Sequence, residues 1–247
     1  MKNQLLEKVI ILSKPVKARF STGNIKLGNI ATFSKLVTDF KYNVIREGKS
    51  LQVAGSCSSG CCAGCREVCY VIKSYRYPAV KTAHANNTLA LRENLQQAYT
   101  DLDNQLTSKR KKFEVVRLMQ AGEIESNEEL AMWCKLARNH AESIFYLYTK
   151  NYSVVVPALK HGFVPANLVV NISVWHEQGL EAFNEVKHLN NVKAFVYNDG
   201  DYDYTDKLEI ETTCKAYEGG KLNHAITCNK CRKCFDSKFK VIATEPH

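Results

Sequence analysis

Cysteine is the residue type that points most clearly to chemistry in this chain. Nine of the ten cysteines fall into two groups far apart in the sequence, one in residues 55–72 and the other in residues 210–236. Disulfides rarely persist in a reducing cytoplasm, where clustered thiols are more often metal ligands. The grouping therefore predicts metal binding, with these candidate ligands: Cys57, Cys61, Cys65, Cys69, Cys214, Cys228, Cys231 and Cys234.

The first cysteine group lies in a loop rich in glycine and serine. Gly60 and Gly64 allow the tight turns that bring closely spaced thiolates onto one metal centre. The five cysteines of this loop exceed the three or four ligands that one site needs. Cys62 directly follows Cys61, and we therefore interpret it as the member of the group that has no ligand role.

The second cysteine group has the spacing C-x2-C-x2-C from Cys228 to Cys234. This spacing is typical of iron–sulfur proteins in which a further ligand comes from elsewhere, and Cys214 or His224 could supply it. Zinc is the rival, because the gap from Cys214 to Cys228 suits a zinc site, although Cys214 lacks a C-x2-C partner. The lysines and the arginine between the cysteines would partly offset the charge of the thiolates. The sequence favours one or two [4Fe-4S] clusters and leaves zinc as the alternative.

Strands and helices alternate from about residue 80 onward, and this rhythm predicts the framework that positions the cysteines. Such alternation is typical of βαβ units and a parallel sheet. The predicted fold class is α/β, as a partial or complete (β/α) barrel in a single domain of residues 1–247, and an open doubly wound sheet fits the same pattern. The apolar spacing predicts helices over 82–106, from Ser126, over 154–160 and over 177–189, and strands over 113–119, 143–148, 168–174, 192–197 and 240–244.

Several other residues lie where this framework could form a ligand site. Arg117 and Lys150 are near the ends of predicted strands, where α/β sheets and barrels bind ligands, and together they could hold a phosphate or carboxylate. A surface salt bridge is the alternative. Asn171 and Ser173 alternate along an apolar strand and either face a pocket or make core hydrogen bonds. Cys134 lies on the apolar face of a helix and is predicted to be a core residue.

The chain carries a net charge of +9 and has a pI of about 9.0. Excess positive charge favours polyanions, so nucleic acid or a nucleotide is a candidate partner, and a solvated basic surface is the alternative. No apolar run approaches the roughly 18–20 residues that cross a bilayer, and the charged first residues do not resemble a secretory signal. We therefore expect a cytoplasmic protein without a membrane partner.

A series of short stretches resembles a known family in order and spacing. The stretches are Ile30-Ala31-Thr32-Phe33-Ser34, Cys65-x3-Cys69-Tyr70, Arg117 followed by Gly122-Glu123, Trp133, Tyr148-Thr149-Lys150 and the terminal C-x2-C-x2-C. Together they resemble the phage gene product 88 domain family over residues 28–236. The family occurs in phages and mobile elements. The resemblance implies the cysteine site but does not define an activity.

A second, weaker likeness concerns radical S-adenosylmethionine enzymes, which are partial (β/α) barrels with a cluster loop after the first strand. Here a cysteine loop precedes the first long helix, and Ala121-Gly122-Glu123 follows the strand 113–119, as a Gly-Gly-Glu-like turn does in those enzymes. The likeness implies that Glu123 and its neighbours hold the amino group of S-adenosylmethionine. Their C-x3-C-x2-C signature is absent, because Gly64 and Ile72 stand where a third cysteine would be.

Two hypotheses of different classes follow from these patterns. The first is an iron–sulfur protein with a barrel that resembles the radical enzymes and acts on a nucleotide, a nucleic acid or a small anionic substrate. Its cofactor-binding residues would be Arg117, Gly122, Glu123 and Lys150. The second is a nucleic-acid-binding or regulatory protein without catalysis, in which zinc only holds the loops together.

Overall fold

The computed structural model describes residues 2–22, 24–57, 63–108, 112–197, 204, 207–215, 217–218, 221–223, 225–235 and 238–244. Within these ranges the strands are β1 (Ile10–Leu12), β2 (Ala31–Ser34), β3 (Lys41–Arg46), β4 (Lys49–Ala54), β5 (Val115–Ala121), β6 (Ile144–Thr149), β7 (Leu168–Val174), β8 (Val192–Tyr197), β9 (Thr212–Thr213), β10 (Tyr217–Glu218), β11 (Lys221–Leu222) and β12 (Val241–Thr244). The helices are α1 (Lys2–Glu7), α2 (Ala63–Glu67), α3 (Tyr70–Ser74), α4 (Pro78–Glu93), α5 (Leu95–Thr107), α6 (Asn127–Asn139), α7 (Tyr152–Lys160), α8 (Glu177–Val186) and α9 (Cys228–Cys231). None of these helices is both long enough and apolar enough to cross a lipid bilayer.

Seven parallel strands form the central sheet, in the order β2-β5-β6-β7-β8-β12-β9. From β2 to β8 the order in space follows the order in the chain, with helices between successive strands. A doubly wound sheet would reverse its strand order at one point, and this run does not. The fold is therefore α/β and resembles a partial (β/α) barrel, which confirms the predicted class. The last strand of the chain, β12, inserts between β8 and β9.

The two faces of the central sheet differ in chemistry. One face packs on α5, α6, α7 and α8, and Val116, Phe145 and Val170 belong to the same apolar core as the fully buried Trp133. Because side chains alternate along a strand, the residues between these positions line the opposite face. We call this opposite face the inner face, and its side chains are Thr32, Val115, Arg117, Tyr146, Tyr148, Val169, Asn171, Ser173, Lys193 and Phe195.

The helix predicted over residues 82–106 is in fact two helices, α4 and α5. Asn94 separates them with a backbone φ of −156° and ψ of 89°. Its side-chain oxygen accepts a hydrogen bond from the backbone amide of Gln97 at 2.9 Å, so it caps the start of α5. Asparagine favours such caps because its short side chain satisfies an amide that has no partner inside the helix.

A β-hairpin that the sequence analysis did not predict lies between β2 and the first cysteine group. Its strands β3 and β4 pair antiparallel, and β1 pairs with β3 in parallel. Glu47 and Gly48 form its turn with φ values of 52° and 75°, the combination that two-residue hairpins prefer. Tyr42 and Val44 of β3 pack with Tyr75 in a second apolar core. The hairpin therefore supports the helices that follow the first cysteine group.

The buried His84 makes the stability of this second core depend on pH. The ring of His84 lies against Tyr75, 3.3 Å from Nδ1 to the hydroxyl, and burial lowers the pKa of His84 to about 4. In the unfolded chain this pKa is about 6.5, so only the unfolded state binds the proton between these values. We expect the free energy of unfolding to be unaffected by His84 above pH 6.5 and to fall by about 3 kcal/mol as the pH drops to 4.

Urea unfolding of the wild type and of His84→Gln at pH 7.5 and pH 4.5 measures this effect. The variant should lose less stability on acidification than the wild type does. His161→Gln, at an exposed position, is the control and should follow the wild type. Equal losses in the wild type and in His84→Gln would show that His84 does not carry the pH dependence.

Candidate functional site

The carboxyl ends of the parallel strands bring four residues to one edge of the sheet. Glu123 follows β5, Lys150 follows β6, Trp175 follows β7 and Tyr197 ends β8. This is the edge at which α/β sheets and barrels bind ligands. We call these four residues the barrel mouth.

Glu123 is the best-defined polar group of the barrel mouth. It is 4% exposed, its Oε2 accepts a hydrogen bond from the Lys150 backbone amide at 2.6 Å, and its own amide donates to Ser56 Oγ at 3.1 Å. Its Oε1 has no hydrogen-bond partner among the described residues. Burial raises the pKa of Glu123, and the amide and charge of Lys150 oppose that rise. A buried carboxyl oxygen without a partner is costly, which makes it a candidate ligand contact.

A bulge in β5 directs Glu123 toward the mouth. Thr32 of β2 pairs with Arg117, but Ser34, only two residues later, pairs with Ala121, so β5 contains extra residues there. Met119, within this bulge, has a left-handed φ of 48°. The bulge explains how Arg117 can lie on the inner face of the barrel while Glu123, close in sequence, reaches the mouth.

Lys150 and Trp175 form a stack at the mouth with Tyr197. The Lys150 Nζ lies 4.2 Å from the centre of the Trp175 ring, and that ring stacks on Tyr197 at 4.1 Å with an interplanar angle of 12°. The sequence analysis grouped Lys150 with Arg117 as an anion site. The structure instead associates Lys150 with Glu123 and Trp175, and it places Arg117 among tyrosines and a cysteine of the second group.

Arg117 presents its charge on the inner face. Its guanidinium carbon lies 4.6 Å from the ring centre of Tyr148 and 6.0 Å from that of Tyr146. Its Nε is sealed from solvent and has no hydrogen-bond partner among the described residues. Burial lowers the pKa of Arg117, but Tyr70, both of these tyrosines and Cys228 raise it, with a net rise. The groups around this cation are thus phenols and a thiol.

The segment of the second cysteine group packs against the same inner face. The Cys228 amide donates to the Lys26 carbonyl at 2.8 Å, and Asn171 Nδ2 donates to the Cys234 carbonyl at 3.1 Å. Phe235 lies 5.0 Å from Tyr146 between ring centres. Asn171 Nδ2 also donates to the Leu147 carbonyl at 3.0 Å, so this fully buried side chain makes the core hydrogen bonds of one predicted alternative, while its Oδ1 lacks a partner in the described chain.

The four thiols of the second group are not joined in disulfides. Burial is the largest influence on the pKa of Cys234, which rises to about 12, and Cys228 and Cys214 raise it further, while a Tyr148 hydrogen bond and Arg117 lower it. Burial also raises the pKa of Cys228, with smaller rises from Cys214 and Cys231. Within the described ranges, however, no three cysteine, histidine or carboxylate side chains stand close enough together to bind one metal ion.

The first cysteine group lies next to the second apolar core. Cys57 and Cys69 pack against the second apolar core, and both raise the pKa of Tyr42, on which burial is the largest influence. The hydroxyl of Tyr70, next to Cys69, donates to the Gln120 carbonyl at 2.8 Å and so ties this loop to the end of β5. Cys65 is half-buried. The other cysteines of this loop, Cys61 and Cys62, and also Gly60 and His224, lie outside the described residues.

Two site residues escaped the sequence analysis, and Cys134 matched it. Ser56 Oγ accepts a hydrogen bond from the Glu123 amide, and the Lys26 carbonyl accepts one from the Cys228 amide. No sequence motif indicates either contact, because the partners are distant in sequence. Cys134 is 2% exposed in the apolar core, and burial raises its pKa to about 11, which confirms the predicted core role.

Gly122 is required by the turn that places Glu123. Its φ is +83°, and a Cβ there would meet Ser56 Oγ and approach Lys35 Cβ to 2.9 Å. We expect Gly122→Ala to lower the free energy of unfolding by about 2–3 kcal/mol, from backbone strain and steric overlap together. Urea denaturation measures the change. Gly162→Ala is the matched control: Gly162 has a φ of +70° but no heavy atom within 4 Å, so it should cost only about 1 kcal/mol. An equal loss of unfolding free energy in both variants would show that steric overlap with Ser56 and Lys35 does not contribute at Gly122.

Comparison with known proteins gives the chain a family. A family model described as gene product 88 matches residues 20–237, which is most of the chain. No match was found among curated proteins or among solved structures, so neither comparison supports the weaker likeness to radical S-adenosylmethionine enzymes. The match confirms the family resemblance seen in the sequence motifs. On this evidence, the chain belongs to the gene product 88 family.

Proposed function

We propose that this chain is an iron–sulfur protein whose second cysteine group holds a cluster against the inner face of the barrel. The observation that carries the proposal is the packing of Cys228 and Cys234 against Tyr146, Tyr148 and Phe235, with Cys214 and Cys231 near enough to raise the pKa of Cys228. Three of these cysteines have the C-x2-C-x2-C spacing of cluster ligands, and the fourth comes from β9's end, as such runs require.

The sequence spacing favours a cluster over a single zinc ion. A zinc site of four cysteines pairs two C-x2–4-C knuckles, and Cys214 has no such partner. In a [4Fe-4S] cluster each cysteine binds a different iron, so the ligand sulfurs stand further apart.

The first cysteine group is proposed to hold a second, separate centre. Its candidate ligands are Cys57, Cys61, Cys65 and Cys69, and Cys57 and Cys69 pack on the hairpin core and not on the inner face. When bound, an iron–sulfur cluster supplies one-electron transfer. Two such centres would let this chain accept an electron and pass it on.

The barrel mouth is proposed to bind a small ligand. The unpartnered Glu123 Oε1 suits a ligand group that donates an N–H, such as an ammonium. The amino group of S-adenosylmethionine is the candidate that the weaker family likeness implies, and a nucleotide or small anionic substrate could lie beside Lys150. The proposed class is therefore a redox enzyme that acts on a nucleotide, a nucleic acid or a small anionic substrate.

Equilibrium dialysis against labelled S-adenosylmethionine tests the ligand of the mouth. We expect the protein to bind it, and Glu123→Gln to weaken binding at least tenfold, because a hydrogen bond to a charged group is lost. Glu142→Gln, at an exposed position, should bind as the wild type does. Absence of binding by the wild type would exclude this ligand and leave the cluster proposal standing.

Zinc with a role in nucleic-acid binding is the competing function, and the net charge of +9 favours it. Its ligands would be the same cysteines, but it would bring no sulfide and no electron transfer. Metal and sulfide analysis therefore separates the two functions.

Metal analysis of anaerobically purified variants tests the cluster proposal. The wild type should contain about eight irons and eight sulfides per chain, one [4Fe-4S] cluster per cysteine group. Cys231→Ser should lose the iron and sulfide of the second cysteine group, about half of each. Cys69→Ser should lose the iron and sulfide of the first group. Cys134→Ser, in the core, should retain all of it and serves as the control. Zinc without sulfide in the wild type, or full loading in Cys231→Ser, would contradict the proposal.

A further inference from the structure

We infer that Arg117 binds the oxyanion group of a small ligand on the inner face, and that Asn171 accepts a hydrogen bond from a hydroxyl group of the same ligand. The chemical class is a small carboxylate or phosphate that also carries a hydroxyl group. The inference rests on the proposed function and deepens it, because it states where the anionic group of the substrate binds and what else that substrate carries.

Arg117 has no acceptor for its guanidinium among the described residues. Its Nε is sealed from solvent without a hydrogen-bond partner, and none of the ion pairs among these residues includes it. Arg46 and Arg232, whose side chains are partly exposed, do have carboxylate partners, Glu93 at 2.8 Å and Glu114 at 3.0 Å. A desolvated cation without an acceptor costs far more free energy than an exposed one. An oxyanion of a ligand would remove that cost.

Aromatic rings hold the Arg117 guanidinium in position. Its carbon atom lies 4.6 Å from the ring centre of Tyr148 and 6.0 Å from that of Tyr146, and Tyr148 packs edge-on against Phe195 at 4.8 Å between ring centres. Such ring contacts stabilise the positive charge, but they do not satisfy the N–H donors of the guanidinium. Those donors form a planar fork that matches two oxygens of a carboxylate or a phosphate. The held, unsatisfied fork therefore favours an oxyanion.

Asn171 supplies an acceptor on the same face. Its side chain is fully buried, and its Nδ2 donates to the Leu147 carbonyl at 3.0 Å and to the Cys234 carbonyl at 3.1 Å. These two bonds fix the orientation of the amide, because its oxygen has no proton to offer to a carbonyl. Oδ1 is thereby left without a donor in the described chain. A hydroxyl group of a ligand would provide the missing donor.

Tyr148 connects the two unsatisfied atoms. It lies on β6 between β5 and β7, it is the register partner of Asn171, and its ring contacts the Arg117 guanidinium. An unpaired donor and an unpaired acceptor that flank one strand are together complementary to a molecule with an oxyanion and a hydroxyl group. The charge of a nearby cluster would not replace these hydrogen bonds, so the site is compatible with the proposed cluster.

Isothermal titration calorimetry of the anaerobically purified protein with glycolate, acetate and inorganic phosphate tests the inference. Glycolate is acetate with one added hydroxyl group, so the wild type should bind it more tightly than acetate. Arg117→Met should bind glycolate at least about tenfold more weakly, and Arg117→Lys should lie between the two, because it keeps the charge without the fork. Asn171→Leu should bind glycolate no better than acetate. The affinities for glycolate and phosphate identify which oxyanion the site prefers.

The control removes the same charge at another position. Arg138→Met loses a positive charge from an exposed helix position and should bind glycolate as the wild type does. Thermal unfolding decides the case if Arg117→Met folds poorly, since a ligand that binds only the folded state raises the Tm. Compared with chloride at equal ionic strength, glycolate should raise the Tm of the wild type more than that of Arg117→Lys.

The outcomes separate this inference from the proposed function. Iron and sulfide in a wild type that binds none of the three probes, or equal binding by the wild type and Arg117→Met, would overturn the inference alone. Weakened binding in Lys150→Met with full binding in Arg117→Met would also overturn it, because the oxyanion would then lie at the mouth. A wild type without iron and sulfide whose glycolate binding depends on Arg117 would overturn the cluster proposal and support the oxyanion site.

Discussion

A permanent positive charge inside a barrel needs negative charge beside it, and this requirement connects most of the features of the structure. Arg117 stands on the inner face of the parallel sheet, where its surroundings are tyrosines and cysteines of the C-terminal segment. An arginine remains protonated at any physiological pH, so the site cannot relieve the cost by losing a proton. In the proposed function, iron-bound thiolates would supply that negative charge.

The framework holds that site through long-range contacts. β5 carries Arg117 on the inner face and, after its bulge, Glu123 at the mouth, so one strand serves two sites. The return of the chain as β12, between β8 and β9, brings Cys214 beside the sheet, where its amide donates to the Ala243 carbonyl at 2.8 Å. The hairpin core supports the first cysteine group separately. The two cysteine groups thus pack against different apolar clusters.

The strongly patterned parts of the fold could be predicted from the sequence. The apolar runs 143–148, 168–174 and 192–197 correspond to strands of the parallel sheet. They could be predicted because a strand that is buried on both faces consists almost entirely of apolar residues. The break at Asn94 and the β3–β4 hairpin were not predicted. The break depends on a helix cap and the hairpin on a two-residue turn. Both lie in segments whose apolar spacing is ambiguous.

The candidate site was predictable in residue type and not in arrangement. Spacing alone indicated cluster ligands in the second group, but it carried no information that these cysteines face Arg117 across the inner face. That arrangement depends on pairs such as Cys228 with Lys26 and Cys234 with Asn171, which are distant in sequence. The structure associates Lys150 with Glu123 and Trp175, and Arg117 with Tyr146 and Tyr148, so a joint anion site of Arg117 and Lys150 stays a prediction.

Anomalous diffraction at the iron and zinc absorption edges, from crystals grown without oxygen, tests the central claim most directly. The account predicts iron density on the inner face, bounded by Cys214, Cys228, Cys231 and Cys234 and lying next to the Arg117 guanidinium. Zinc density among these cysteines would contradict it. Iron at the first cysteine group only, with the thiols of the second group ordered and free of metal, would also contradict it.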